Sequence, residues 1–165
     1  MHRFTRTLLG LALGLAGAAS IAGTASVSYN PDARYVDAGS SPRDRQATLA
    51  TLAAHLKRSA ERQLPANEAL KVELIDVDLA GNVRPSRRTG GDLRVLRGGA
   101  DWPRLTVRYS LTRDGRMLQG GTESIADMNY TWRLGRYGSG DPLRYEKQLI
   151  DDWVGRLAQP HASAR

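Results

Sequence analysis

The chain contains no cysteine. That absence excludes a disulfide framework, a thiol nucleophile, a thiolate zinc site and the lipid-bearing cysteine of a lipoprotein. Histidine is scarce as well: beyond His2 there are only His55 and His161. A serine–histidine triad would have to use one of these two, and His55 has no metal-ligating residue three or four positions further on. Lysine is almost missing. None of Lys57, Lys71 and Lys147 has a serine three residues before it, so the serine–lysine signature is not there either. Ser139 stands in Gly138-Ser139-Gly140, which lacks the nucleophile-elbow pattern. No cofactor-binding motif is found. The expectation is a protein without a cofactor and without classical hydrolase machinery.

What is present begins with an export signal. Arg3 and Arg6 precede an uncharged stretch from Leu8 to Ala25, and small residues follow at Ala22-Gly23-Thr24-Ala25. A basic start, an apolar centre and a small-x-small end describe a secretory signal peptide. Gly10, Gly14, Gly17, Ser20, Gly23 and Thr24 interrupt the stretch, leaving an apolar block of about ten residues, short of a bilayer span. The expected organisation is a signal peptide over 1–25, a single domain over 26–157 and a flexible tail over 158–165. Cleavage is expected after Ala25, or failing that after Ala22. No second long apolar run follows, so the expected location is the periplasm, without a membrane span after cleavage.

Patterning along the domain gives the fold class. Val27 and Tyr29 alternate with polar residues as a short strand. Ser41, Pro42 and Asp44 make a helix start, and Leu49, Leu52, Ala53, Leu56 and Ala60 recur at helical spacing until Pro65. From Ala69 to Leu79 the apolar alternation slips by one residue between Leu74 and Ile75, which predicts a bulge or a strand covered on both faces along part of its length. Residues 84–92 have no periodicity and read as an exposed loop. Leu93 to Leu96 forms a short strand. Leu105, Val107, Tyr109 and Leu111 alternate up to Asp114-Gly115, a tight-turn dipeptide, and the return strand runs from Met117 to Met128. Asp141 and Pro142 then start a last helix with Leu143, Leu149, Ile150, Trp153, Val154 and Leu157 on its apolar face. This order predicts an α+β fold: a largely antiparallel sheet of about four to five strands with two helices packed on one face.

The segments Asp76-Val77-Asp78-Leu79-Ala80-Gly81, Arg94-Val95-Leu96, Asp101-Trp102-Pro103-Arg104, Asp127-Met128-Asn129-Tyr130 and Leu143-Arg144-Tyr145-Glu146-Lys147 carry a resemblance. Together they are similar to an exported proteobacterial family catalogued as domain of unknown function 3016, over essentially the whole mature chain. The resemblance implies an exported bacterial protein and assigns no activity or site residue.

Three features remain as candidate sites. Between Arg84 and Arg116, nine arginines face Asp92, Asp101 and Asp114, a local balance of +6. Arginine forks bind phosphate and carboxylate, and Trp102 adds a stacking surface, so Arg87, Arg88, Arg94, Arg97, Trp102 and Arg104 are candidates for an anion or partner site. Against this, arginine outnumbers lysine 21 to 3 and is simply the default surface cation of the chain. The loop from Tyr130 to Tyr137 adds Trp132 and Arg136, residue types used at interaction surfaces. Asp76 and Asp78, two apart on one strand face, are weak candidates for a divalent cation or for acid–base work. The leading expectation is a non-enzymatic envelope-accessory module that recognises an anionic envelope component or a periplasmic partner protein. A small metal-dependent hydrolase using Asp76 and Asp78 is the alternative. Export and the lack of any recognition motif argue against nucleic acid.

Overall fold

The structure, a computed structural model, describes residues 22–86 and 91–159. Most of the expected signal peptide, together with Arg87, Arg88 and the tail from residue 160, lies outside the described residues. Eight elements follow one another: β1 (Thr24–Tyr29), α1 (Pro42–Gln63), β2 (Glu68–Asp78), β3 (Asn82–Ser86), β4 (Gly91–Val95), β5 (Arg104–Arg113), β6 (Arg116–Ala126) and α2 (Arg144–Leu157). The fold is α+β. Four strands form a mixed sheet in the order β1-β2-β5-β6, and β3 and β4 form a separate two-stranded arm. Only β1 departs from antiparallel pairing: it runs parallel to β2, and α1 makes the crossover between them.

Helix α1 starts where local chemistry says it must. Ser41 Oγ accepts the Asp44 N–H at 3.1 Å and donates to the Asp44 carboxylate at 2.7 Å, with Pro42 in the first turn. Its stripe of Leu49, Leu52, Leu56 and Ala60 is fully buried. It meets Leu70, Val72, Leu74 and Val77 of β2, Leu105, Val107 and Leu111 of β5, and Leu149, Ile150, Trp153 and Val154 of α2 in one core. Each such side chain contributes roughly 1.5–3 kcal/mol on burial. Trp153 locks α2 to the sheet: its ring meets Tyr109 edge-on at 5.3 Å, and its Nε1–H donates to Glu123 at 3.0 Å. The opposite sheet face carries Lys71, Glu73, Thr106, Arg108 and Ser110, with Arg108 on Glu73 at 2.7 Å.

The bulge expected in β2 is there, as a register shift between Leu74 and Asp76 against β5. The β5–β6 hairpin turns on Asp114 and Gly115, with φ of 51° and 76°. Two local expectations fail. Residues 82–95 are not simply a loop and a short strand but the arm, in which Pro85 opposes Asp92. An exposed two-stranded ribbon has no buried face, so it shows no apolar alternation, and its free edge tolerates Pro85. The second correction concerns Asp141, which does not cap α2. Its carboxylate accepts the Leu143 N–H at 2.9 Å and the Lys147 ammonium at 2.5 Å, closing a turn two residues before the helix.

Candidate ligand and partner interface

The register of β2 gathers the arm and loops at one end of the molecule. Asp78 pairs with Arg104 at the start of β5, and Asp37, just before α1, bridges to Asp78. The Gly81 N–H donates to the Asp101 carbonyl at 2.8 Å, and the Asp127 N–H to that of Pro103 at 3.3 Å. Glu146 in the first turn of α2 accepts the Ala80 N–H at 2.8 Å. The arm, the β4–β5 loop, the β6–α2 loop and the amino-terminal ends of both helices therefore share this end. Gly81 makes the approach feasible: its φ is +81°, and a Cβ there would stand 2.6 Å from the Val95 carbonyl oxygen.

Between the arm and the helices lies a cleft of about 560 Å³. Leu79, Val83, Leu93, Leu96 and Leu143 give it largely apolar walls, with Asp44, Arg94, Arg144 and Tyr145 among its polar ones, Asp44 being held by Ser40 and Ser41. The two arginines differ. Arg94 grips Asp37 with both terminal nitrogens, at 2.8 and 3.1 Å, and reaches the Ala80 and Gly81 carbonyls. Arg144 is half-buried, stacks 4.4 Å over the Tyr145 ring and donates to the Ser139 and Asp141 carbonyls at 3.3 and 3.2 Å. No carboxylate among the described residues forms an ion pair with it. Glu146 is fully buried, its Oε2 has no partner among the described residues, and burial pushes its carboxyl above the ordinary glutamate range.

Beside the cleft, the β6–α2 loop is clamped to the body. Tyr130 is buried and donates its hydroxyl to Asp101 at 2.9 Å. Burial and that carboxylate push the phenol up to about 12. For Asp101, burial acts upward but is outweighed by the Arg97 N–H and the Tyr130 hydroxyl, which hold the carboxyl below its usual range. Arg133 spans Asp127 at 3.0 Å and Asp152 at 2.7 Å, and Arg136 joins Asp152 at 2.6 Å. Trp132 and Leu134 stand out at 86% and 97% exposure, with Met128 at 65%.

Beneath this loop a polar cluster joins the helices. Asp151 of α2 takes His55 Nε2 at 2.9 Å, the Ser59 hydroxyl and the Tyr137 hydroxyl, and Gln63 donates to Ser59 at 2.8 Å. Burial acts upward on the Asp151 carboxyl, but His55, Ser59 and Tyr137 outweigh it and hold it far below the usual range. Burial and the Asp151 carboxylate raise the Tyr137 phenol well above its ordinary value. The residue types are those of a hydrolase, but the geometry is not. Ser59 and His55 converge on the same carboxylate oxygen, so His55 does not sit between serine and acid, and Ser59 is fully buried. The cluster ties the loop to both helices.

The candidates read from the sequence are distributed as follows. Arg97, Trp102 and Arg104 lie on or beside the β4–β5 loop, Arg104 5.8 Å over the Trp102 ring, and Trp132 and Arg136 on the neighbouring β6–α2 loop. These two loops touch through Gly98, Asp101 and Tyr130. Arg94 sits on the arm, gripped by Asp37; Arg87 and Arg88 lie outside the described residues. The local arginine surplus is partly answered from elsewhere in the chain, by Asp37 on Arg94, Glu73 on Arg108 and Glu68 on Arg113. Asp76 accepts the Val36 N–H at 2.9 Å. The Asp78 carboxyl is pushed up by burial, with Arg104 opposing that shift. Among the described residues no group of three His, Asp or Glu side chains is assembled to hold a metal. Sequence reasoning missed Arg144, Tyr145 and the Asp151 cluster. The Arg144-Tyr145 pair was visible as a cation beside an aromatic, but nothing local marked it as a cleft wall.

No curated protein matches the chain. One similar solved structure is a minor lipoprotein from Acinetobacter baumannii, 13% identical, with 80% of this chain and 87% of that chain covered and a TM-score of 0.24. That overlap is too slight to support any transfer of fold or role. The family model described as "Protein of unknown function (DUF3016)" matches residues 23–156, almost the entire described domain, and the chain belongs to that family.

Proposed function

We propose that the domain is a non-enzymatic binding module of the bacterial envelope that recognises an anionic ligand with an apolar portion. The carrying observation is the cleft: apolar walls beside Arg144, a guanidinium that has carbonyl and aromatic partners but no carboxylate among the described residues. A planar, permanently charged fork at the edge of an apolar cavity suits a phosphate or carboxylate head on an acyl or other apolar body. The amino-terminal leader supports an exported location. Cleavage after Ala22 fits the fold better than cleavage after Ala25, because β1 begins at Thr24, Ala25 packs on the core and the Gly23 N–H donates to Leu64 at 3.1 Å.

The test is calorimetric titration with dodecyl phosphate, with dodecyl maltoside as the uncharged control. The expected result is saturable, salt-sensitive binding of the phosphate that weakens about ten-fold or more in Arg144→Gln, since losing a charged hydrogen-bonding partner costs about 1.5–3 kcal/mol. Equal affinity of the variant, or equal binding of the uncharged control, would remove the reading.

A further inference from the structure

We infer that the tip of the β6–α2 loop is an interfacial anchor that docks the domain on an anionic lipid bilayer. The inference goes beyond the cleft and rests on different residues. Trp132 and Leu134 are 86% and 97% exposed, whereas the Arg133 side chain between them reaches back to Asp127 and Asp152. Arg136 repeats the contact to Asp152, Tyr130 is buried on Asp101, and Tyr137 joins the Asp151 cluster. The backbone is thus pinned on both sides of the tip, and the two apolar side chains are held outward rather than collapsed on the surface.

The tip has the form of a projection. Neither Trp132 nor Leu134 lines the cleft or the hollow under the loop, which is formed by Tyr130, Thr131, Arg133, Tyr137 and their neighbours. Projecting Trp and Leu side chains suit the headgroup–acyl boundary, where an indole ring sits well and apolar side chains reach several ångströms into the bilayer. Charge selects the kind of bilayer. Asp127 and Asp152 are engaged by Arg133 and Arg136, and Asp101 is occupied by the Arg97 and Gly99 N–H groups and the Tyr130 hydroxyl. On the adjoining β4–β5 loop and strand start, Arg97 and Arg104 are exposed, and neither forms an ion pair among the described residues. An exposed apolar tip beside exposed cations, of which Arg104 also faces Asp78 across the strand pair, complements negatively charged headgroups. Among the described residues no helix is long and apolar enough to cross a membrane, so the contact proposed is peripheral.

The experiment uses the full chain with vesicles of phosphatidylcholine alone or mixed with phosphatidylglycerol, the acyl chains brominated to quench inserted tryptophan. Trp153 is buried, so it supplies an internal reference. The expected result is quenching and a blue shift with the mixed vesicles, largely removed in Trp132→Phe, with any remainder coming from Trp102 on the adjoining loop. Partitioning should fall about ten-fold or more in the double variant Trp132→Ser, Leu134→Ser, and should weaken as salt is raised. Both proteins carry the same amino-terminal leader, so its own lipid affinity cancels in the comparison. Circular dichroism checks that the exposed substitutions leave the fold intact. Unchanged partitioning of the double variant, or equal binding to uncharged vesicles, would overturn the inference. Neither outcome would touch the dodecyl phosphate result, which depends on Arg144.

Discussion

Replacing Asp151 by Asn removes one charge from the centre of the polar cluster while keeping the shape of the side chain. In the wild-type protein the carboxylate accepts from Ser59 and Tyr137 and pairs with His55, and both Ser59 and His55 are buried. An asparagine oxygen can still accept one or two of these bonds, but its NH2 group must face donors. Stranding a buried donor costs about 1–3 kcal/mol. The expected loss is therefore about 1–3 kcal/mol, a sizeable part of the roughly 5–15 kcal/mol that holds a domain together. Urea denaturation followed by circular dichroism measures it at neutral pH. The pH dependence supplies the sharper test. The Asp151 carboxyl is held below its ordinary value near 3.8 in the folded protein, so its stabilisation is fully present above that value. It is lost as pH falls through the folded value. The gap between wild type and Asp151→Asn should accordingly narrow in acid, as the wild-type carboxylate is protonated. A loss below about 1 kcal/mol, together with a gap that does not change with pH, would refute the reasoning.

Glu146→Gln should behave in the opposite sense. Burial raises the wild-type carboxyl above its ordinary 4.5, so its share of stability is full below that value and declines as pH rises through the folded value. The variant lacks that decline, and denaturation midpoints measured from acid to neutral pH should show the wild type losing ground to it. Gly81→Ala meets both a positive φ and the Val95 carbonyl; a loss of about 1–3 kcal/mol is expected in thermal or urea unfolding, with the arm and β4–β5 loop exchanging amide hydrogens faster. If the leader is processed, intact-mass analysis of the protein recovered from the expressing cell should place its amino terminus at Gly23, because a start at Ser26 deletes the Thr24 and Ala25 rungs that pair with Ala69 and Leu70.

Several local signals were sufficient, although the Asp141-Pro142 helix start was not. Ser41, Pro42 and Asp44 mark the start of α1 because a cap involves only residues within one turn. Asp114-Gly115 marks the hairpin because a tight turn between right-twisted strands needs two positive φ angles. The slip at Ile75 marks the place of the irregularity in β2, because alternation registers each residue's face directly, and the pairing with β5 shows it to be a bulge. The short segments along the domain were likewise enough to indicate its family. Tertiary structure decided the rest. The parallel pairing of β1 depends on which edge of β2 remains free once β5 has taken the other, and no local pattern states that. The arm stayed hidden because a ribbon without a buried face leaves no periodicity. The arginine surplus looked like an open anion site until Asp37, Glu68 and Glu73 met three of its members from distant segments. His55 found its acid 96 residues away, across a helix–helix contact. Charge pairing and burial depend on distances in space, and chain spacing fixes those distances only within a turn or a hairpin.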